Sequence, residues 1–216
     1  MNNEVKQNVT AGNTALRWSL GLLLGLCAGI PATQAQTTTW NGAVDSSWFN
    51  AGNWSSGVPT AGDTAIFNNP NNPLATAIIQ GNTAAEANEL AINSGRVFVG
   101  SSASGILNIG TTISVGPSGT FQLINGSTVS FNSLHIEIGG TYLDTLDDHL
   151  ILTGSNPQIS VASGTVTINS QIDGTEGLIK ASPGTLILAN DNIYTGGTTI
   201  NGGTLQVGNG GTTGSL

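Results

Sequence analysis

The residues best equipped for chemistry sit within one short stretch, Asp144, Asp147, Asp148 and His149. Carboxylates grouped in this way can serve as general acid and base, or can ligate Ca²⁺. A site that degrades acidic polysaccharide also needs cations to hold its substrate. Past the leader the chain offers only Arg96 and Lys180, 84 positions apart. The plainer reading of the cluster is a solvated turn between strands. His135 and Glu137 flank Ile136, an alternation that turns both outward while Leu134, Ile136 and Ile138 face in. Two ligands do not make a metal site. Asp191, within Asn190-Asp191-Asn192, reads as a turn, because the nonapeptide spacing of Ca²⁺-binding repeats is absent. No nucleophile elbow, phosphate loop or zinc spacing occurs. No catalytic residue, metal ligand or cofactor is therefore assigned. Trp40, Trp48 and Trp54 leave two readings open, a sugar-stacking patch or an anchored cap over the first coil.

What must position these residues is a phrase that recurs: Gly, usually Thr, then an apolar residue, any residue and a second apolar residue. Its glycines are Gly95, Gly119, Gly140, Gly164, Gly184 and Gly203, at spacings of 24, 21, 24, 20 and 19. A period near twenty carrying short strands is the mark of a solenoid. Stacked in register, Val97, Phe121, Tyr142, Val166, Leu186 and Leu205 form one interior column. Val99, Leu123, Asp144, Ile168, Leu188 and Val207 form the next. Asp144 is the misfit, and a bulge that turns Leu143 or Leu146 inward is the expected remedy. Further short strands lie between the phrases, for two or three strands per turn, the layout of a parallel β-helix. The one helix candidate is Ala84 to Leu90.

Composition agrees with an exported scaffold. Of 216 residues 31 are Gly, and only 7% are charged. Residues 1–35 read as a secretory signal, with Lys6 and Arg17, an apolar run from Leu20 to Ile30, Pro31, and a small-residue cleavage site at Thr33-Gln34-Ala35. A transmembrane anchor is the competing reading, but the run is short. Cys27, the sole cysteine, falls inside this leader and follows Leu26, which does not suit lipidation. The remaining chain would hold two basic residues against eleven carboxylates, 2 − 11 = −9. That balance excludes a phosphate-binding surface and hence nucleic acid. Residues 36–75 hold three tryptophans and many turn signals, and read as an N-terminal cap. Residues 76–216 read as the helix proper.

One stretch resembles a known family. Gly184-Thr185-Leu186-Ile187-Leu188, then Asn192-Ile193-Tyr194-Thr195-Gly196, then Gly203-Thr204-Leu205-Gln206-Val207 resemble the passenger-associated transport repeat, also called the autotransporter-associated β-strand repeat. The repeat would span about 177–207, and Lys180 fits a lysine often found upstream. Its structural residues here would be Gly184, Thr185, Leu186, Leu188, Asn192, Tyr194, Thr195, Gly196, Gly203, Leu205 and Val207. The run from Trp40-Asn41-Gly42 to Gly62-Asp63-Thr64-Ala65-Ile66-Phe67 is similar to the start of such proteins. The resemblance implies an all-β, right-handed parallel β-helix in the passenger of a bacterial autotransporter. It also implies an outer-membrane β-barrel translocator as partner, in the same or a longer chain. The location implied is the surface or exterior of a Gram-negative bacterium, with a host or surface glycan or protein as a possible adhesive target. No barrel-type strands follow residue 207, so the solenoid is expected to be incomplete at its C-terminus, with an uncapped edge. The reading is a non-enzymatic stalk and transport aid. The alternatives are a carbohydrate-binding module on the tryptophans and, further off, a β-helix polysaccharide-degrading enzyme on Asp147 and Asp148.

Overall fold

The computed structural model describes residues 34–69, 72 and 74–216. The signal-peptide reading, with Lys6, Arg17 and Cys27, falls almost entirely outside them. Sixteen strands and a single 3-10 turn (Ala51–Asn53) make up the regular structure of the described residues. Every named strand pairs in parallel, and the chain winds as a three-sided β-helix. β-Branched and aliphatic residues alternating with Thr, Ser, Asn and Gln dictate this. Each strand has one apolar edge to bury and one polar edge to solvate.

On face A eight rungs stack: Thr37–Thr39, Thr64–Phe67, residues 89–92, residues 112–115, Ser133–Ile136, Gln158–Val161, Leu178–Ala181 and Thr198–Ile200. Face C stacks residues 84–87, 106–109, Thr128–Phe131, His149–Leu152 and Gln171–Asp173. Ala84–Val99 and Ile106–Leu123 each run through three faces as one strand, bulging at the corners. The helix candidate at Ala84–Leu90 is thus a strand. Its Ala-rich composition favours helix locally, but Ala85, Ala87 and Leu90 are buried, and pairing of 84–87 with 106–109 and of Glu89 and Leu90 with strands on both sides decides.

Face B carries the Gly-Thr phrase, and the phrase stacks in the expected register with one interruption. Val97, Phe121 and Tyr142 align, as do Val166, Leu186 and Leu205. No ladder joins Thr141–Leu143 to Thr165–Ile168, so the last three rungs form a separate sheet. Between the two strands lies a cleft of about 330 Å³, lined by Tyr142, Asp144, Val166 and Asn169 among others. The cleft is a wedge. A Cβ at Gly140 would collide with the Val115 carbonyl, and one at Gly184 with the Val161 carbonyl. At Gly164 nothing lies within 4 Å.

Asp144 closes the narrow end, and neither leucine replaces it. Leu143 is 47% and Leu146 62% exposed, contrary to the expected inward turn. The carboxylate accepts the backbone N–H of Asn169 (3.0 Å) and of Ser170 (2.8 Å), the Asn169 amide (3.0 Å), the Ser170 hydroxyl and the Tyr142 hydroxyl (3.1 Å). Elsewhere on this face the N–H that follows the phrase donates to a strand carbonyl, as Ala189 does to Ile168 at 2.8 Å. A side chain thus does across the wedge what a backbone does in the other coils. Ile138 also departs from expectation. It is 67% exposed, since the strand ends at Ile136 and the chain turns the corner there.

Candidate functional site

The acidic cluster does not assemble a surface site. Asp148 is fully buried. Its Oδ1 accepts Ser127 N–H (2.8 Å), and its Oδ2 accepts the N–H and the hydroxyl of Thr145 (2.8 Å each). The turn expected to be solvated therefore holds an interior carboxylate that fastens two coils. Asp147 and His149 face solvent. Among the described residues no group of three or more His, Cys, Asp or Glu side chains is placed to hold a metal ion. Glu137 is exposed and His135 half-buried on the outer side of face A, as alternation required.

The tryptophans are interior. Trp40, Trp48 and Trp54 are 1%, 0% and 4% exposed, which leaves no face for a sugar. Trp40 and Trp48 lie nearly parallel to Phe67, at interplanar angles of 22° and 26°. Trp54 stands across both, with centroids at 5.1 and 4.8 Å. Its Nε1–H donates to the Trp48 carbonyl at 2.8 Å. Phe67 pairs with Ile92, so the aromatic group rests on the end of an aliphatic column.

The segment of greatest interest is the coil from Leu178 to Val207. Leu178–Ala181 supplies its face A rung and Thr185–Leu188 its face B rung. Thr198–Ile200 and Thr204–Val207 begin the next turn. Leu186 and Leu188 are fully buried, and Thr185 faces outward from the same strand. Leu205 is partly buried, and Val207 is 42% exposed because no further rung lies over it. A Cβ at Gly203 would strike the Gly184 carbonyl, and its φ of +69° suits only glycine well. Gly196 meets the Gly177 backbone as closely.

Polar side chains hold the corners of this coil. Asn192, 6% exposed, accepts Ile172 N–H on Oδ1 (3.0 Å). Its amide donates to the carbonyls of Asn190 (2.9 Å) and Ser215 (3.0 Å), so it ties three successive turns. Tyr194 packs inside with its hydroxyl 2.7 Å from that of Thr198, and burial raises its pKa. Thr195 N–H donates to the Gly174 carbonyl at 3.0 Å. After the coil, Ser215 bridges to Asp191 in parallel, and Thr213 donates to the Ala189 carbonyl at 2.9 Å. Residues 213–215 thus lie over one corner, Ala189 to Asn192, of the edge that was expected to be bare, while Ile200 and Val207 stay 54% and 42% exposed.

Sequence reasoning placed Lys180 in the repeat but gave it no task. It occupies an interior position between Ile159 and Ile200 in the face A column and is fully buried. Its ammonium donates to three carbonyls, Ala181 (2.7 Å), Ser182 (2.7 Å) and Gly202 (3.1 Å). The three donors of the group are matched by three acceptors from two coils. Desolvation lowers its pKa from the ordinary 10.5. Ser182, at φ +67°, turns its carbonyl toward this point. The only signal in the sequence was a lone lysine in an uncharged stretch, at a spacing that alternation marks as interior.

Residues 178–207 match the family model of the passenger-associated-transport-repeat. The coil described above is thus similar to that repeat. Residues 39–140 match a second model, a domain of unknown function (DUF8693), which ends at the wedge in face B. A curated relative, the adhesin BmaC autotransporter of Brucella suis biovar 1 (strain 1330), is 39% identical over 97 residues, or 45% of this chain. The match spans 3% of that protein's length. No solved structure matches. Both the repeat model and this relative make the chain similar to autotransporter proteins over part of its length.

Proposed function

We propose that this chain is a non-enzymatic passenger segment carried to the surface of a Gram-negative bacterium. There the β-helix serves as a stalk, and the coil 178–207 aids its folding and transport. The observation that carries the reading is the pair of cross-coil locks on buried Lys180 and Asn192 in this coil. Lys180 and Asn192 together fasten carbonyls and amides of three successive turns. A single solenoid repeat cannot bury its own face, so folding must nucleate where neighbouring coils hold one another best and spread from there. The partner implied is an outer-membrane β-barrel of the longer protein.

An adhesive role follows from the relative, which is named an adhesin. The enzymatic alternative is disfavoured by the burial of Asp148 and the three donors that occupy its carboxylate. Excising one coil at a time, with register kept, tests the reading in the full-length protein. Removal of 178–207 is expected to reduce surface-exposed passenger sharply, measured by protease accessibility on intact cells. Removal of a coil from residues 89–132 is expected to have little effect. Equal display of both deletions would refute the assignment.

A further inference from the structure

The outer side of face B carries an open pocket of about 430 Å³ near the tryptophan cluster, framed by Asp45, Ser46, Ser47, Phe49, Ile78 and Gln80. Its walls are fixed before any ligand arrives. Ile78 N–H donates to the Ser46 carbonyl (2.7 Å) and Trp48 N–H to the Ile78 carbonyl (3.1 Å), so residues 46–48 act as one more rung. Buried Asn53 accepts the N–H of Val44 (2.9 Å) and Asp45 (3.1 Å). Its amide donates to Asp45 Oδ1 (2.7 Å) and the Ser47 carbonyl (3.0 Å). Trp48 turns inward from this rung, and Phe49 beside it is 37% exposed.

Asp45 is oriented rather than used up. Oδ1 takes Ser47 N–H (2.8 Å) and the Asn53 amide, while Oδ2 takes only the Asn50 amide (2.9 Å). One acceptor site on Oδ2 remains. The hydrogen bonds from Asn50, Ser47 and Asn53 keep this carboxyl below the usual range, so it is an anion at neutral pH. Gln80 is exposed, and its Oε1 accepts the Ser102 hydroxyl at 3.4 Å. An apolar wall facing an oriented anion and an amide suits a molecule with one C–H face and adjacent hydroxyls, and the volume lies in the range of small-ligand sites.

We propose that Phe49, Ile78, Asp45 and Gln80 form a subsite for one neutral pyranose unit of a glycan. The sugar's C–H face lies on Phe49 and Ile78, one hydroxyl donates to Asp45 Oδ2, and a second pairs with the Gln80 amide. Anionic sugars are repelled by Asp45 and by a chain with twelve acidic and four basic residues. This rests on the adhesive part of the proposed function and names its target class.

The test is a glycan array of neutral, sialylated and uronic-acid oligosaccharides probed with the exported chain, followed by titration with methyl pyranosides. Neutral pyranosides are expected to bind. Phe49→Ala and Asp45→Asn are each expected to weaken binding about tenfold, the size of one lost anchoring contact. Phe49→Tyr is expected to keep it, and tryptophan emission reports that the cluster beneath stays folded. Capture of only acidic glycans or only cationic peptides, no glycan binding, or neutral binding indifferent to Phe49→Ala would overturn the proposal. Surface display of Phe49→Ala separates the two readings. Unchanged display with lost sugar binding leaves the stalk reading standing. Display that survives excision of 178–207 sinks the transport reading and leaves this subsite untouched.

Discussion

Lys180 shows what an interior charge can do in a largely apolar stack. Replacing it by Met keeps the volume but leaves the carbonyls of Ala181, Ser182 and Gly202 without their donor. A loss of about 1–3 kcal/mol is expected in urea unfolding, since orphaned acceptors outweigh the relief of a buried charge. The pH dependence has a definite sign. The folded pKa lies below 10.5, so between the two values the unfolded chain binds more protons, and stability from this group rises with pH. Tyr142 and Tyr194 act oppositely. Their folded pKa values exceed 10.0, chiefly through burial, so their contribution is complete below about pH 10 and is lost as pH climbs beyond it. Lys180→Met is expected to abolish the rise and keep the alkaline fall, as chemical-denaturation midpoints from pH 8 to 11 would show. Asp144 was legible as an anomaly and illegible as a solution. Alternation showed that a carboxylate stood in an apolar column. Its partners, Asn169 and Ser170, lie 25 and 26 positions on, and nothing local announces them.

At the scale of the element, the Gly-Thr phrase gave face B its strands and their register, because period-two alternation and a period near twenty each leave a plain trace. The wedge between Thr141–Leu143 and Thr165–Ile168 left only a long interval, 24 residues from Gly140 to Gly164, and Gly95 to Gly119 shows the same spacing without a break. Spacing therefore could not distinguish a gap from a bulge. Backbone amides in Thr165–Ile168 are expected to exchange hydrogen faster than those in Thr185–Leu188, which have a partner strand on both sides. Asp144→Ala is expected to widen the wedge and cost about 2–4 kcal/mol, by leaving the N–H groups of Asn169 and Ser170 without an acceptor. Equal exchange in the two strands, or an Asp144→Ala variant as stable as the parent, would mean that the coils pair there in solution.

Across the described stack, the first and last coils are held in unlike ways. Near residue 36, Trp40, Trp48, Trp54 and Phe67 form a buried aromatic cluster, where Trp54→Ala is expected to cost about 3–5 kcal/mol and to change near-UV circular dichroism. In the coil 178–207, polar corners do that work. Composition and motif drew attention to both stretches, yet they left the outward Phe49 and the inward Lys180 unassigned, because only the stacking partner decides which way an isolated residue serves. The central claim is that the coil 178–207 organises folding of the stack. Pulse-labelled hydrogen exchange during refolding of the purified chain tests it most directly. Amides of Leu178–Ala181 and Thr185–Leu188 are expected to gain protection before those of Thr64–Phe67 and residues 89–115, and Lys180→Met is expected to remove that lead. Protection that spreads first from the tryptophan end, in the parent and the variant alike, would contradict the account.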